Sequence, residues 1–395
     1  MKKRKKILII GGGMAGSSSA EMLSKEDENE IYLVEKSSYL GAGVRTFWYG
    51  GHPHTFGPRY FLTPYQKVYD YFNKIVPLRD CSDHQFITYV EKDRDFYNYP
   101  MHKDDIERMP DKEVIREQLK NKKEDFTPSN LEEYWINSVG FNLFDKLINN
   151  YNKKMWKISD CKEIDTFSWS PKGATLKESG SKRMPWEGTY SGYPYAPDGY
   201  NKYFEILKNR SNLKIILNSA VKFSDIKNKE AVVNDEKIKF DIIINTISPD
   251  ILFDYSFGRL PYLGRDIHHI VLPVENVLPG NVFFIYYANN EKFTRVVEYK
   301  KFTQHKSQQT LLALEIPSEN GKHYPMPIKR YQSLAKKYLD ELPEGFYSIG
   351  RAGSYFYSLD MDDCIMQSML ICEDLKNNQL SSGILGDQYV IEKRV

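Results

Sequence analysis

Three glycines near the start of the chain have the spacing of a dinucleotide site. The apolar residues 7–10 lead into Gly11, Gly13 and Gly16, which form the pattern GxGxxG before a run of small residues. In a strand–turn–helix unit, the first glycine permits the tight turn and the second lets a pyrophosphate approach the backbone. The third lets the helix pack closely on the strand, and the N-terminal amides of the helix face the anion. These residues therefore predict the binding of a dinucleotide cofactor.

An acidic residue follows the second predicted strand at the position that this chemistry requires. Residues 31–34 form an apolar run, and Glu35 comes 19 residues after Gly16. Its carboxylate can accept hydrogen bonds from the adenosine ribose. An ordinary glycine-rich turn is the alternative for the glycines alone. The order strand, turn, helix, strand, glutamate favours the dinucleotide site.

Further segments along nearly the whole chain resemble the motifs of one known family, in the family's order. They are His54-Thr55-Phe56-Gly57-Pro58-Arg59-Tyr60-Phe61, Tyr97-Asn98-Tyr99-Pro100, Tyr151-Asn152-Lys153-Lys154-Met155-Trp156, residues 190–200, residues 251–262, Phe293-Thr294-Arg295-Val296-Val297-Glu298-Tyr299-Lys300, Gly350-Arg351-Ala352-Gly353-Ser354-Tyr355-Phe356-Tyr357 and Asp360-Met361-Asp362. The chain is similar in these motifs to the UDP-galactopyranose mutases, and it resembles a divergent member of that family.

The resemblance implies a cofactor and a reaction. The cofactor is FAD, active in the reduced form, with NAD(P)H or another reductant for activation. In the family, reduced flavin attacks the anomeric carbon of a nucleotide-diphosphate sugar, so that pyranose and furanose forms interconvert. We therefore expect an FAD-dependent isomerase. Two alternatives remain: an FAD-dependent oxidoreductase of the amine-oxidase-like group, and a non-catalytic sugar-nucleotide binder.

The resemblance also implies a set of arginines that hold the diphosphate. Arginine suits this role because its planar fork can bind phosphate oxygens in pairs. Arg295 matches the arginine of the family's Thr-Arg motif directly. Arg265 is the candidate for a second arginine, although extra residues separate it from the preceding tyrosine. The family also has an arginine on a mobile loop, in a Pro-x-Arg pattern that is absent here, and Arg183 is the nearest basic candidate for it. For Arg183, Arg265 and Arg295 alike, the alternative is a solvated arginine.

Arg59 stands where most of the family carries a histidine beside the flavin. A guanidinium reaches farther than an imidazole and cannot act as a base whose charge changes near neutral pH. One hypothesis is a change of substrate, toward a sugar that bears an acetamido or acidic substituent. The alternative is that Arg59 only stabilises the charge of the reduced flavin.

The remaining predicted site residues fall into two groups. The substrate-binding group supplies hydroxyls, rings and an amide: Tyr151, Trp156, Tyr190, Tyr324, Tyr357 and Asn98. The cofactor-binding group is Gly11, Gly13, Met14, Ala15, Gly16, Glu35, Lys36, Gly43, Val44, Pro58, Arg59, Val221, Arg351, Asp360 and Met361. Core packing is the alternative for the tyrosines and Trp156. For Asp360 and Arg351 the alternative is a helix cap and a surface arginine.

The elements that must position these residues predict several domains. Val68, Phe72 and Ile75 recur at helical spacing, residues 103–156 favour several helices, and apolar runs at 213–217, 231–233, 240–245, 282–287 and 310–316 favour strands. We predict an α/β fold with a Rossmann-like FAD-binding domain built from discontinuous segments, a helical insertion and an antiparallel β-sheet domain. The predicted boundaries are 1–100, 201–258 and 336–395 for the FAD-binding domain, 101–160 for the helical domain, and 161–200 with 259–335 for the sheet and substrate domain.

Composition limits the partners and the compartment. With 55 basic and 53 acidic residues the formal net charge is +2, so no global field attracts nucleic acid or a membrane surface. No apolar run reaches the roughly 18 residues of a spanning helix, and the basic N-terminus is followed by too short an apolar run for a signal peptide. Four cysteines without CxxC spacing suit a reducing compartment and no metal site. We expect a cytoplasmic protein with no nucleic-acid partner and no stable membrane insertion. A homodimer through residues 103–150 is a further hypothesis, with a solvated helical face as its alternative.

Overall fold

The computed structural model of the protein describes residues 5–99, 101–122, 126–165, 176, 188–377 and 379–383. Its strands are β1 (Lys5–Ile10), β2 (Asn29–Val34), β3 (Phe47–Tyr49), β4 (His52–His54), β5 (Phe61–Thr63), β6 (Leu78–Asp80), β7 (Gln85–Val90), β8 (Asp95–Asn98), β9 (Tyr190–Pro194), β10 (Leu213–Ile216), β11 (Lys222–Asp225), β12 (Glu230–Val233), β13 (Glu236–Lys239), β14 (Ile242–Asn245), β15 (Tyr262–Leu272), β16 (Val282–Tyr287), β17 (Arg295–Glu298), β18 (Thr310–Ser318), β19 (Tyr324–Pro325) and β20 (Phe346–Ser348). Its α-helices are α1 (Met14–Leu23), α2 (Gln66–Ile75), α3 (Lys103–Ile106), α4 (Lys112–Lys120), α5 (Leu131–Val139), α6 (Phe141–Phe144), α7 (Asn150–Trp156), α8 (Asn201–Glu205), α9 (Pro249–Leu252), α10 (Tyr299–Thr303), α11 (Lys329–Asp340), α12 (Gly350–Gly353) and α13 (Met361–Lys376).

A parallel sheet with the strand order β10-β2-β1-β14-β20 forms the nucleotide-binding half of the molecule. Ile7 and Ile9 point to one side of β1 and share a core with residues of α1 and α13. Leu8 and Ile10 point to the other side and pack against the small antiparallel sheet β11-β12-β13. Both faces are therefore covered, which explains why β1 is almost continuously apolar. The predicted Rossmann-like fold from separated chain segments is confirmed.

A second, seven-stranded sheet has the order β19-β15-β18-β17-β16-β7-β8. Its neighbours are antiparallel except for β16 and β7, which are parallel. The boundary predicted at residue 100 does not follow the sheets, because β7 and β8 hydrogen-bond into this second sheet and not into the parallel one. A separate three-stranded sheet has the order β5-β9-β6, so β9 joins two strands that precede it by more than 100 residues.

Helices α3–α7 occupy the segment predicted to be helical and enclose a core of their own, which includes Trp135, Phe144 and Trp156. A π-helical segment, Asp145–Asn149, joins α6 to α7. Such segments are rare and often occur beside functional sites. Here it directly precedes the helix that carries Tyr151 and Trp156.

Among the residues described, none of the helices combines the length and the apolar character needed to cross a bilayer.

Candidate active site

The turn from β1 into α1 has the geometry that the glycine pattern predicts. Gly11 has a φ of +97°, a conformation that favours glycine. A Cβ added to Gly16 would lie 1.9 Å from the carbonyl oxygen of Gly11, so no side chain fits between helix and strand. Backbone conformation and close packing thus account for these two glycines without any ligand.

Gly13 is different, because nothing in the described chain requires a glycine there. Its φ is −70°, and a Cβ would have a single neighbour within 4 Å, the Cβ of Ala42 at 3.7 Å. The open space lies at the N-terminus of α1, where an anion is stabilised by unpaired amides. Beside it, the Glu35 carboxylate accepts hydrogen bonds from the Gly12 amide at 2.6 Å and the Ser37 amide at 2.7 Å. The residues present fit the pyrophosphate and ribose of a dinucleotide.

Substituting Gly13 and Gly16 with alanine should separate the two roles. We expect Gly13→Ala to keep the thermal stability of the cofactor-free protein, because its Cβ meets no described atom closer than 3.7 Å, but to lose most of its cofactor affinity. Gly16→Ala should lower the stability itself, because its Cβ would overlap the Gly11 carbonyl. Thermal unfolding of the apoprotein and flavin titration by absorbance measure the two effects. Equal stability losses in both variants would contradict this assignment.

Other predicted cofactor residues surround the same turn. Gly43 and Val44 lie in a 3-10 turn, Ala42–Val44, next to Gly13 and to Phe56. Lys36 follows Glu35, and Val221 packs in the core cluster that contains Val34. On the other side of α1, a Cβ on Gly350 would lie 2.9 Å from the Cβ of Ala15, and Met14 is buried. The starts of α1 and α12 therefore meet.

Arg351 and Asp360 contact each other at the start of α13. The Arg351 guanidinium donates to the Leu359 carbonyl at 2.9 Å and to Asp360 Oδ1 at 2.7 Å. Asp360 caps α13 in a capping box with Asp363, and Met361 is the first residue of that helix. Asp360 is therefore the N-cap of α13, as its alternative reading has it. The same carboxylate also holds the guanidinium of Arg351 in position.

Four arginines converge on Tyr324, which begins β19. The guanidinium carbon of Arg265 lies 4.8 Å from the centre of the Tyr324 ring, and that of Arg351 lies 5.4 Å from it. The charges of Arg59 and Arg295 also act on the Tyr324 hydroxyl. Burial would raise the pKa of this hydroxyl, but the charges of Arg59, Arg265 and Arg295 outweigh burial and lower the pKa to about 8. The cluster is therefore a strongly positive, buried site.

Only part of this positive charge is neutralised by the chain itself. Arg295 donates from Nε and Nη2 to Glu315 Oε2 at 2.9 and 2.6 Å, and Arg351 pairs with Asp360. Within the described ranges, Arg59 and Arg265 form no ion pair with a carboxylate. Arg265 is 5% exposed, and its Nε is buried without a partner. Two buried or half-buried cations without a counter-ion among the described residues are costly, and an anionic ligand would offset that cost.

Binding of a phosphate-bearing ligand should weaken as pH rises through the pKa of Tyr324. Below about pH 8 the neutral hydroxyl can donate a hydrogen bond to a phosphate, and above it the phenolate repels the ligand. The bound ligand also screens the arginines, so it raises the pKa of Tyr324 and its binding takes up a proton. We expect the affinity for UDP to fall by about tenfold per pH unit above pH 8. Calorimetry against pH measures this fall, and Tyr324→Phe should remove it; a decline of the same steepness in that variant would contradict the assignment.

Aromatic side chains form a wall beside the arginines. Trp156 meets Tyr357 edge-on with ring centres 4.8 Å apart, and Tyr357 lies 5.7 Å from Tyr324. Tyr151 meets Tyr286 edge-on at 5.6 Å, and Tyr286 is opposite Arg295 in the register of β16 and β17. The structure thus brings together four of the predicted substrate residues, Tyr151, Trp156, Tyr324 and Tyr357. Tyr286, which was not predicted, lies with them.

The structure does not bring every predicted residue to this wall. Tyr190, on β9, packs against Tyr69 at a ring distance of 5.1 Å, and its described contacts do not include the arginine cluster. The Asn98 amide is held by Asp105, to which its Nδ2 donates at 2.7 Å. Arg183 lies outside the described residues. Pro58 adjoins Arg59 in the loop after Gly57.

Besides Tyr286, two residues of the site were not predicted from the sequence. Glu315 is buried and orients Arg295. The sequence alone does not reveal this contact, because it arises from the register of β17 and β18, which places Arg295 opposite Glu315. His323 precedes Tyr324 and stacks on Phe56 with ring centres 4.4 Å apart. Burial, together with the charges of Arg59, Arg265 and Arg351, lowers the pKa of His323 to about 4, so its imidazole is neutral at physiological pH.

A dinucleotide-binding turn together with a buried cluster of arginines and tyrosines is the arrangement expected of a protein that holds a dinucleotide cofactor and a second, anionic ligand. Comparison with known families is more specific. A family model described as UDP-galactopyranose mutase matches residues 146–357, and one described as an NAD(P)-binding Rossmann-like domain matches residues 9–75. The chain belongs to the UDP-galactopyranose mutase family, and its relatives are named as mutases, a class of isomerases.

Individual relatives agree over almost the entire length. The chain is 26% identical to dTDP-fucopyranose mutase of Escherichia coli, over 95% of this chain and 99% of that one. It is 24% identical to UDP-galactopyranose mutase of Mycoplasma pneumoniae, over 93% and 95%. A solved structure of reduced UDP-galactopyranose mutase superposes with a TM-score of 0.81 at 17% identity, covering 99% of both chains. A putative protoporphyrinogen oxidase from Exiguobacterium sp. 255-15 superposes with a TM-score of 0.66 at 14% identity, covering 95% and 99%; these two likenesses concern the fold alone.

Proposed function

We propose that this protein is an FAD-dependent isomerase that interconverts the pyranose and furanose forms of a nucleotide-diphosphate sugar. The observation that supports it most directly is the pair Arg59 and Arg265, whose charges act on Tyr324 and which form no ion pair with any carboxylate of the described residues. A diphosphate diester carries a negative charge on each phosphate and would supply the negative charge that the arginine cluster lacks. The dinucleotide cradle at Gly13 accounts for the cofactor, which is a different ligand at a different place.

The side chains of the cluster would act on the leaving diphosphate. When bound, reduced FAD supplies a nucleophile for the anomeric carbon. Negative charge develops on the diphosphate oxygen as the anomeric bond breaks, and fixed arginines stabilise that charge without reorganising. Arg265 and Arg295 would hold the phosphates, while the neutral Tyr324 hydroxyl donates to them. The wall of Tyr151, Trp156 and Tyr357 would pack against the nucleotide and exclude water.

Product analysis after incubation with a sugar-nucleotide panel tests this proposal. The FAD-loaded protein is reduced with dithionite and mixed with UDP- and dTDP-hexopyranoses, including UDP-galactopyranose and dTDP-fucopyranose. The expected product is an isomer of unchanged mass, absent with oxidised protein and with Arg265→Met. A product that differs by a pair of hydrogens would instead establish an oxidoreductase. Binding without any product from the whole panel would favour a non-catalytic sugar-nucleotide binder.

The choice of sugar is the finer part of the proposal, and Arg59 is the residue to test. Its loop contacts both halves of the site, because Phe56 lies against Gly43 on one side and stacks on His323 on the other. If Arg59 addresses a substituent of the sugar, Arg59→His should lower the ratio of kcat/KM for acetamido or acidic sugars to that for plain hexoses. A steady-state comparison on matched UDP-sugars measures the ratio. An unchanged ratio with lower rates on all substrates would favour a role in stabilising the reduced flavin.

A further inference from the structure

The imidazole ring of His323 is held in place by packing. Its main-chain amide donates to the Leu263 carbonyl at 3.1 Å, beside the pairing of β19 with β15. The ring stacks on Phe56, with ring centres 4.4 Å apart and planes inclined by 28°. A Cβ on Gly321 would lie 2.7 Å from His323 Cε1, so the glycine leaves room for the ring. These contacts orient the imidazole without using either of its nitrogens.

The two ring nitrogens of His323 have no hydrogen-bond partner in the part of the chain that the structure describes. Nδ1 is buried and unpartnered, and no hydrogen bond between described residues involves Nε2. A neutral imidazole carries one donor and one acceptor, and an imidazolium carries two donors. Leaving such groups unpaired in a half-buried position costs free energy. A ligand beside the ring would supply the missing partner.

Three arginines from three different elements act on this imidazole. They are Arg59 in the loop before β5, Arg265 on β15 and Arg351 at the start of α12. Burial, and then the charges of these arginines, lower the pKa of His323 to about 4. Arg351 is paired with Asp360, whereas Arg59 and Arg265 form no ion pair with a described carboxylate. The cations that keep a proton off the ring are therefore those that an anionic ligand would neutralise.

The other titratable groups close to His323 are its neighbours in the chain, Lys322 and Tyr324. The Lys322 ammonium lies 3.9 Å from Asp250 Oδ1 and 5.1 Å from the centre of the Tyr262 ring. The Tyr324 hydroxyl, with a pKa lowered to about 8, is neutral in weakly acidic solution. Neither group supplies the negative charge that would favour an imidazolium in the free protein.

We infer that His323 takes up a proton when a nucleoside diphosphate occupies the arginine cluster, and that its imidazolium then donates a hydrogen bond to a phosphate oxygen. The inference rests on the proposed function, which names this ligand. A diphosphate diester brings two negative charges to the cluster and so removes the repulsion that keeps the ring neutral. The proton comes from solvent and returns to it when the nucleotide leaves. In the proposed reaction, the imidazolium adds positive charge where the departing diphosphate becomes more negative.

Calorimetry on the oxidised, FAD-loaded protein tests the inference, with UDP-galactopyranose and dTDP-fucopyranose as ligands. A diphosphate diester lacks the second ionisation of a phosphate monoester, near a pH of about 6, so the protons counted belong to the protein. Titrations at about pH 6 in buffers of different ionisation enthalpy count these protons. We expect an uptake of about half a proton or more, and an affinity that rises by up to about tenfold per unit as the pH falls from 7 to 5.

Variants assign the proton to one residue. His323→Gln should abolish both the uptake and the rise in affinity, and His323→Phe, which keeps a ring against Phe56, should do the same without disturbing the packing. Tyr324→Phe should keep the uptake, because the tyrosine is neutral well below pH 8. His268→Gln removes an exposed histidine of β15 and is the matched control, which should behave like the wild type.

The outcomes separate this inference from the proposed function. Binding of either nucleotide sugar without proton uptake would overturn the inference and leave the proposed function intact. An uptake that persists in both His323→Gln and His323→Phe would overturn it as well. Binding of neither nucleotide sugar would contradict the proposed function and, with it, the role of His323.

Discussion

Replacing Arg265 with methionine is expected to weaken UDP binding about 100-fold while leaving the thermal stability of the protein unchanged or raised. Arg265 is 5% exposed, its Nε is buried without a partner, and no described carboxylate neutralises its guanidinium. Its presence therefore costs desolvation and repulsion from Arg59, and an apolar side chain of similar length relieves both. The ligand, in contrast, loses a charged hydrogen-bond donor.

Three measurements on Arg265→Met separate this role from a structural one. Calorimetry gives the UDP affinity, a thermal melt gives the stability, and absorbance titration of the free protein follows Tyr324. The pKa of Tyr324, lowered to about 8 in part by Arg265, should rise toward the value of an ordinary tyrosine. Arg330→Met, which removes an exposed arginine on α11, is the matched control and should change none of the three. A clear drop in melting temperature for Arg265→Met would refute the interpretation.

Replacing Arg295 with methionine should have the opposite effect on stability. Arg295 donates twice to Glu315, whose side chain is 2% exposed, so its removal leaves a buried carboxylate without a counter-ion. Loss of one partner from such a pair costs about 3 kcal/mol in the free energy of unfolding. Turnover should be lost as well, because the same guanidinium faces Tyr286 and the arginine cluster.

The double variant Arg295→Met/Glu315→Gln distinguishes the two losses. Glutamine removes the buried charge while keeping the shape, so the double variant should recover most of the stability lost by Arg295→Met. Its turnover should stay as low as that of the single variant. Urea unfolding and product formation measure the two quantities. Recovery of activity together with stability would mean that Arg295 acts only through folding.

The dinucleotide turn could be predicted from the sequence because its determinants are local. Gly11, Gly16 and Glu35 lie within one strand–turn–helix–strand unit, and spacing alone fixes their relative positions. Helix α2 and strands β16 and β18 were also predictable from their sequence patterns. β7 carried a signal that the prediction did not use, since Gln85–Val90 is rich in β-branched and aromatic residues.

The longest strand was not predicted, and it carries Arg265. β15 contains Gly264, Arg265, Asp266 and two adjacent histidines, which break the apolar alternation on which a sequence-based prediction depends. The partners of the arginines were missed for a related reason. Glu315 meets Arg295 only through the register of β17 and β18, and His323 meets Phe56 across more than 260 residues of chain. The family resemblance predicted Arg295, Tyr324 and Tyr357 as site residues, but only the pairing of strands shows which of the described charges lack a partner.

Because the parallel sheet is built from distant segments of the chain, it cannot form early during synthesis on the ribosome. β1 is made more than 200 residues before its neighbour β14, which begins at Ile242, and β20 joins the sheet only at Phe346–Ser348. At translation rates of about 5–20 residues per second, an apolar strand waits many seconds for its partner. The apolar strand must therefore be protected from aggregation until most of the chain has been made. A chain truncated before residue 346 would lack β20 and the contact of Gly350 with α1.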